Sequence, residues 1–174
     1  QMQGDELDSV DIINRNVPLG SIESGSSGIG SIQYGGVLNN VRFRGENGAR
    51  FNLAINIDSY AGCGTGPLEI SQLEISNARS GIVTACPGTP VQIDRATLNG
   101  TDYALQASTG ASIIGSNVLI TSGDYSPILA YNSGAKGSTR IELNQATIVA
   151  TGDPSKPAIG ATVDTSPTAI DSIS

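Results

Sequence analysis

The sequence predicts an all-β solenoid, in which the chain coils repeatedly and stacks the strands of successive coils. One pattern of strand, turn and short strand recurs about every 22 or 23 residues between residues 68 and 161. A period of this length is typical of repeat architectures. The composition agrees, because the chain is rich in Ser, Thr, Asn, Gly, Ile and Val, which favour strands joined by turns. No long stretch has apolar residues at helical spacing, so little helix is expected.

The clearest copies of the pattern are residues 68–77 and 91–99, and superposing the copies gives columns of apolar residues. The three predicted columns are Ile75, Leu98, Ile120 and Ile148; Ile82, Leu105, Ile128 and Ile159; and Ile70, Ile93 and Leu143, with Ile114 as a looser member. Asn77 and Asn99 lie just past Ile75 and Leu98 of the first column, at positions where an Asn can adopt a left-handed turn. The columns therefore predict both a core and a corner.

A β-sandwich is the alternative architecture, because short strands at a spacing of 8–12 residues also fit that class. A sandwich gives no reason for the same residue type to return every 22 or 23 positions. A solenoid does, since each coil must repeat its corner in order to stack its strands. We therefore favour the solenoid.

The repeats resemble those of the right-handed parallel β-helix, the fold of pectin-lyase-like proteins and of bacterial autotransporter passengers. Residues 68–83 and 91–105 look like consecutive coils, and residues 137–160 are similar to passenger repeats in particular. The resemblance covers about residues 37–161. It implies a right-handed parallel β-helix of about six to seven coils.

The chain is expected to be a single domain, since 174 residues fit one unit with a sizeable core. Residues 1–36 are predicted to form an N-terminal cap and glycine- and serine-rich first coils, residues 37–161 the regular coils, and residues 162–174 the C-terminal end. The Gly20–Gly36 stretch has two interpretations: a flexible linker, or short strands joined by tight glycine turns. Its regularly spaced isoleucines favour the strands.

Charge excludes some classes of partner. The chain carries 9 Lys plus Arg against 16 Asp plus Glu, a net charge of −7. Nucleic acid and anionic membranes both require a basic surface, so neither is expected as a partner. There is also no apolar run long enough for a membrane-spanning helix, and the start at Gln1 suggests a chain from which a targeting segment has been removed.

The two cysteines, Cys63 and Cys86, are 23 residues apart, which is also the repeat step. Stacking one coil on the next would bring them together, so we predict a disulfide bond, with two buried thiols as the alternative. A disulfide implies an oxidising compartment, and therefore a secreted or cell-surface protein. Metal binding is not expected from two cysteines and no histidine, and no cofactor is predicted.

The resemblance also implies catalysis as an alternative function, because the parallel β-helix fold includes many polysaccharide lyases and hydrolases, although a fold alone does not establish an activity. Glycoside hydrolysis uses two carboxylates at a fixed separation. Asp102 and Asp124 are the best candidates, since they lie 22 residues apart and one coil would place them about 5 Å from each other. Two solvated turn residues are the simpler interpretation, and the chain has no histidine base. We therefore expect a protein that is not an enzyme.

The candidates for binding are Tyr103, Tyr125 and Tyr131, which lie in or beside the variable loops, together with Asp102 and Asp124. Exposed tyrosine rings suit an interface and can stack on sugars. The function predicted from the sequence is a secreted or cell-surface adhesive or structural module that binds glycan or a surface protein along its side. The alternatives are a filament subunit that associates through its coil ends and a polysaccharide-degrading enzyme.

Overall fold

A computed structural model describes residues 6–15, 27–29, 35–57, 63–122, 126–132, 138–150, 155, 159–163 and 168–173. In these ranges the chain forms strands and no helix. The strands are β1 (Glu6–Asp8), β2 (Asp11–Asn14), β3 (Ser27–Ile29), β4 (Gly36–Asn39), β5 (Arg42–Gly45), β6 (Phe51–Ile57), β7 (Leu68–Ser76), β8 (Ala78–Thr84), β9 (Val91–Thr101), β10 (Tyr103–Ser108), β11 (Ser112–Ser122), β12 (Ile128–Asn132), β13 (Thr139–Ala150), β14 (Ile159–Val163) and β15 (Thr168–Ile173).

The strands form two parallel sheets, and the chain alternates between them. The first sheet has the order β1-β4-β7-β9-β11-β13-β15, with β2 beside β5 and β5 beside β7. The second has the order β14-β12-β10-β8-β6-β3. Each strand pairs with a strand from the preceding or following coil in parallel register. The predicted parallel β-solenoid is therefore confirmed, because the sheets of a sandwich are antiparallel.

The regular part of the solenoid has about four full turns: β7–β8, β9–β10, β11–β12 and β13–β14. Each contributes one long strand to the first sheet and one short strand to the second. In the earlier levels the first-sheet strand is split in two, as β1–β2 and as β4–β5. The expected six to seven coils is therefore slightly too high.

The predicted apolar columns are confirmed by the register. Ile75 pairs with Leu98, Leu98 with Ile120 and Ile120 with Ile148. In the second sheet, Ile82, Leu105, Ile128 and Ile159 follow one another in the same way. Most of these side chains are completely buried, and full burial of each Leu or Ile contributes about 1.5–3 kcal/mol.

The third column differs from the prediction at one position. Ile70 pairs with Ile93, but the next residue in that column is Gly115, which pairs with Leu143. A Cβ atom on Gly115 would lie 2.8 Å from Cδ2 of Leu143, so the leucine fills the space that the glycine leaves. The assignment of Ile114 to this column was wrong, because Ile114 points outward and is 37% exposed.

A column of a different kind is formed by one residue at a corner within each level of the first sheet, and we call it the corner column. Its six residues all have positive φ angles between 51° and 60°: Ser9, Asn40, Gln72, Arg95, Asn117 and Gln145. A left-handed residue interrupts the strand alternation, so that two successive polar residues both face solvent before the chain turns inward again. In β7, for example, Ser71 and Gln72 lie on the outside while Ile70 and Leu73 are buried.

A later corner follows the Ile75 column. Asn77 has a φ angle of 55°, as predicted for an Asn at this position. One level further on the left-handed residue is Gly100, with a φ angle of 65°, and not Asn99. The expectation for Asn99 was therefore wrong by one residue, because β9 includes an additional residue before its pairing with β11 resumes at Thr101.

The predicted disulfide between Cys63 and Cys86 is confirmed, with Cα atoms 5.2 Å apart. It joins the connections between successive coils. These connections also stack through their backbones, since Gly66 N–H donates to the carbonyl of Gly88 at 3.1 Å and Leu68 N–H donates to the carbonyl of Pro90 at 2.9 Å. Cys86 is completely buried, whereas Cys63 is exposed.

A candidate binding cleft on the first sheet

The outer face of the first sheet carries a continuous column of polar side chains immediately before the corner column, and we call it the polar ladder. Its members pair with one another from level to level. In chain order they are Asp8, Asn39, Ser71, Asp94, Ser116 and Asn144. Successive levels of a parallel sheet lie about 4.8 Å apart, so neighbouring members are within hydrogen-bonding reach of each other.

Hydrogen bonds along the polar ladder use the hydrogens of its hydroxyl and amide groups. Asn39 Nδ2 donates to Asp8 Oδ1 at 2.8 Å, and Ser71 Oγ donates to Asn39 Oδ1 at 2.7 Å. Two levels further, Ser116 Oγ donates to Asp94 Oδ1 at 3.2 Å, and Asn117 Nδ2 of the corner column donates to the same oxygen at 3.2 Å. These bonds hold the outward side chains in fixed positions.

A second outward column lies beside the polar ladder, two residues earlier in each strand. It contains Val37, Glu69, Gln92 and Ile114 at successive levels. The two columns border an open cleft of about 430 Å³, whose polar-ladder lining is Ser71, Asp94, Ser116 and Asn144. The cleft therefore crosses several strands and runs along the solenoid axis.

Asp94 is the best-connected side chain in the cleft. The amide of Asn117 lowers the pKa of this carboxyl below its ordinary value, and hydrogen bonds from Arg95 and Ser116 act in the same direction. Burial opposes them only in part. The Asp94 carboxylate is therefore ionised across the neutral and mildly acidic range.

The arginines lie on the other side of the corner column. Arg95 Nε donates to Asp94 Oδ2 at 3.1 Å, but Arg95 itself lines a neighbouring depression of about 380 Å³. Arg42 lines the same depression and forms an ion pair with Glu74 at 3.5 Å. The corner column thus separates a cleft that bears carboxylates from a depression that bears arginines.

Comparison with protein-family models, with curated proteins and with solved structures finds no match to this chain. Function must accordingly be inferred from the residues themselves. In the part of the chain that the structure describes, no helix is long and apolar enough to cross a membrane. Within the same ranges, no three His, Cys, Asp or Glu side chains come together as a metal site would require.

Two of the three tyrosines predicted to bind, Tyr103 and Tyr131, lie on the second sheet, away from the cleft. Tyr103 begins β10 and pairs with Ser80, whereas Tyr131 lies near the end of β12 and pairs with Ser108. Tyr131 is 36% exposed and Tyr103 is half-buried. They belong to different columns, about five residues apart along the strand direction, so these two rings do not stack on each other. Tyr125 lies outside the described residues.

Asp102 forms a largely buried ion pair with Arg50. Arg50 donates to its Oδ1 at 2.5 Å and also to the carbonyl of Ala78 at 2.9 Å. The Asp102 side chain is only 13% exposed. Arg50 therefore ties Asp102 to a coil that lies earlier in the chain. Asp124, the proposed partner of Asp102 in a catalytic pair, lies outside the described residues, as does most of the Gly20–Gly36 stretch.

Sequence reasoning did not find the cleft residues Glu69, Gln92, Asp94 and Ser116. A usable signal was present, because each level contains two polar residues between two inward residues, as in Ile70-Ser-Gln-Leu73. That spacing breaks the alternation of a strand and marks a corner. It also identifies the first of the two polar residues as a member of an outward column.

Proposed function

We propose that this protein is a non-enzymatic extracellular adhesive or structural module that binds glycan through the cleft on its first sheet. The observation that carries the proposal is the cleft itself, with ordered polar groups in one column and mixed polar and apolar groups in the other. Binding sites for small ligands combine a concave shape with a few well-placed polar groups. Here the groups repeat along the axis, which suits an elongated ligand.

The spacing of the levels supports a glycan. Levels about 4.8 Å apart are comparable to the length of one sugar residue in an extended chain. A sugar chain lying along the axis would meet Glu69, Gln92 and Ile114 in succession. Ile114 is 37% exposed and offers an apolar surface for the C–H face of a sugar ring. Gln92 offers both a donor and an acceptor to hydroxyl groups.

The electrostatics of the cleft support binding over hydrolysis. A glycosidase requires a carboxyl group that keeps its proton near neutral pH, and this requires a raised pKa. The pKa of Asp94 is shifted in the opposite direction. A carboxylate held ionised by three neighbouring donors is suited to accepting hydrogen bonds from ligand hydroxyls.

The extracellular location is supported by the disulfide between Cys63 and Cys86. Disulfides form and persist in oxidising compartments and are rare in the cytosol. The net charge of −7 agrees with a glycan as the partner, since this charge disfavours nucleic acid and anionic lipid.

A glycan array followed by calorimetry with the best ligands tests the proposal. Gln92→Ala should weaken binding several-fold, because one hydrogen-bonding side chain is removed from the cleft. Gln106→Ala is the matched control, because Gln106 lies on β10 in the second sheet, and it should leave affinity unchanged. Absence of binding to every glycan class would overturn the proposal. Release of new reducing ends from a bound glycan would show that the protein is an enzyme.

A further inference from the structure

The side chains of the cleft present mainly acceptors to a ligand. The hydroxyls of Ser71 and Ser116 and the amide of Asn117 donate within the protein, to Asn39 or to Asp94. Among the described residues, Glu69 makes no hydrogen bond or ion pair, so its carboxylate is available. Each carboxylate offers about four acceptor positions and no hydrogen. A ligand that is rich in donors therefore complements this surface.

The charges of the cleft have the same sign. Glu69 and Asp94 both line it, while the guanidinium groups of Arg42 and Arg95 line the depression beyond the corner column. Glu142 continues the column of Glu69 at the level after Ile114, where it forms an ion pair with Arg140. Glu6 begins the same column. An anionic ligand would therefore meet three carboxylates among the neutral side chains of this column.

The carboxylates of the cleft are arranged along the solenoid axis. Glu69 and Asp94 belong to adjacent levels of neighbouring columns. An elongated ligand with a cationic group on each of several repeating units can therefore contact more than one carboxylate at once. Single exposed ion pairs contribute little to affinity, but several on one chain act together through their high effective concentration.

From these contacts and charges we propose that the cleft binds an extended glycan that carries protonated amino groups, such as a chain of glucosamine units. This proposal rests on the proposed glycan-binding function and specifies the class of glycan. Each ammonium group donates three hydrogens and carries the positive charge that Glu69 lacks as a partner, and at Asp94 it adds to the existing ion pair with Arg95. Ring hydroxyls donate to Gln92, and the C–H face of a ring packs on Ile114. Uronate and sulfated chains are excluded by repulsion.

The test compares three oligosaccharides of equal length by calorimetry at mildly acidic pH, where amines are protonated and the Asp94 carboxylate is ionised. They are a glucosamine oligomer, its fully N-acetylated form and a uronate oligomer. We expect the glucosamine oligomer to bind at least tenfold more tightly than the acetylated form. Added salt should weaken its binding, because the contacts are between exposed charges. We expect no binding of the uronate.

Variants locate the effect on the protein. Asp94→Asn and Glu69→Gln should each reduce the affinity for the glucosamine oligomer several-fold and reduce the affinity for the acetylated form much less, since that form offers only neutral donors to these carboxylates. Asp8→Asn is the matched control. Asp8 accepts an amide hydrogen in the same polar ladder, but it lies outside the cleft, and its replacement removes the same charge from an acidic protein. Equal losses for Asp8→Asn and Asp94→Asn would show nonspecific attraction of a polycation and overturn the proposal.

The outcomes distinguish the two levels of inference. Equal affinity for the glucosamine and acetylated oligomers, or tighter binding of the uronate, overturns the amino-glycan proposal while glycan binding itself stands. Binding of none of the three, together with a negative glycan array, overturns the proposed function as well. Circular dichroism and unfolding curves of each variant establish that the comparison is between folded proteins.

Discussion

The two sheets of the solenoid share one core but differ in their outer faces. In the four regular turns, the first-sheet strands have 9 to 12 residues and the second-sheet strands have 5 to 7. The first sheet stacks the polar ladder and the corner column at every level from β1 to β13. The outer column of the second sheet contains Val83, Gln106 and Leu129, which offers fewer side-chain hydrogen-bonding groups than the polar ladder.

This difference shows which part of a coil determines the fold and which part is available for function. Inward residues of both sheets must match from coil to coil, because each packs on its neighbours above and below. Outward residues are under no such requirement. On the first sheet they nevertheless form a column with hydrogen bonds between several neighbouring levels, and the cleft lies beside it. The following predictions test the separation between the interior and the outer face.

The largest effect is expected from a charge in the interior. Leu98→Asp places a carboxylate at a position that is completely buried between Ile75 and Ile120, and we expect a loss of more than about 4 kcal/mol of stability or complete unfolding. Leu119→Asp is the matched control, since Leu119 is 41% exposed on the neighbouring sheet strand, and it should change stability by about 0.5 kcal/mol or less. Urea unfolding measures both. Equal effects at the two positions would contradict the assignment of faces.

The next effect concerns the link between coils outside the sheets. Replacing both Cys63 and Cys86 by Ser should lower the free energy of unfolding by about 3 kcal/mol, because a crosslink across a loop of this size restricts the unfolded chain. Reducing agent should lower the melting temperature of the wild type to a similar extent and leave the double variant unchanged. A wild-type melting temperature that is insensitive to complete reduction, verified by thiol titration, would contradict the expected contribution.

A smaller effect should follow from removing the charge of Asp102. Asp102→Asn weakens a largely buried pair with Arg50, and we expect a loss of about 1–3 kcal/mol, since hydrogen bonds to charged groups contribute that much. Glu46→Gln removes the exposed pair with Arg15, whose side chain is 60% exposed, and should cost about 0.5 kcal/mol or less. A stable Asp102→Asn variant that has lost glycan binding would instead place Asp102 in a binding site.

The interior of the coils could be predicted from the sequence because it repeats in residue type. Ile75, Leu98 and Ile120 are all large aliphatic residues at nearly constant steps, so the period is visible in one chain. The exception is instructive. Gly115 breaks the Ile70 column, and the neighbouring Ile114 therefore took its place in the prediction, although a one-residue shift reverses the face of a strand.

The outer face could not be predicted in the same way, because it repeats in position and not in residue type. The corner column contains Ser, Asn, Gln and Arg, which share only a backbone conformation. Glu69, Gln92 and Ile114 line one cleft without chemical similarity. The ion-pair partner of Asp102 could not be predicted from the sequence either, since Arg50 is 52 residues earlier. Only the register of the stacked strands brings such residues together.

The smallest expected effect concerns the polar ladder itself. Asn117→Gly keeps the left-handed conformation, which glycine adopts readily, and removes the amide that lowers the pKa of Asp94. The pKa of Asp94, measured by NMR titration of its carboxyl carbon, should therefore rise toward its ordinary value. Gln72→Gly makes the matching backbone change without touching Asp94, and should leave that pKa unchanged.

The same variant has a predictable effect on stability as a function of pH. A carboxyl whose pKa is lowered by folding stabilises the protein above its unfolded pKa of about 3.9, and this contribution is lost as the pH falls through the folded pKa. Asn117→Gly reduces the contribution, so the stability difference from the wild type should be constant near neutral pH. It should then shift in favour of the variant as the pH falls below about 4. A difference that is the same at neutral and strongly acidic pH would show that Asn117 acts through its backbone conformation and not through Asp94.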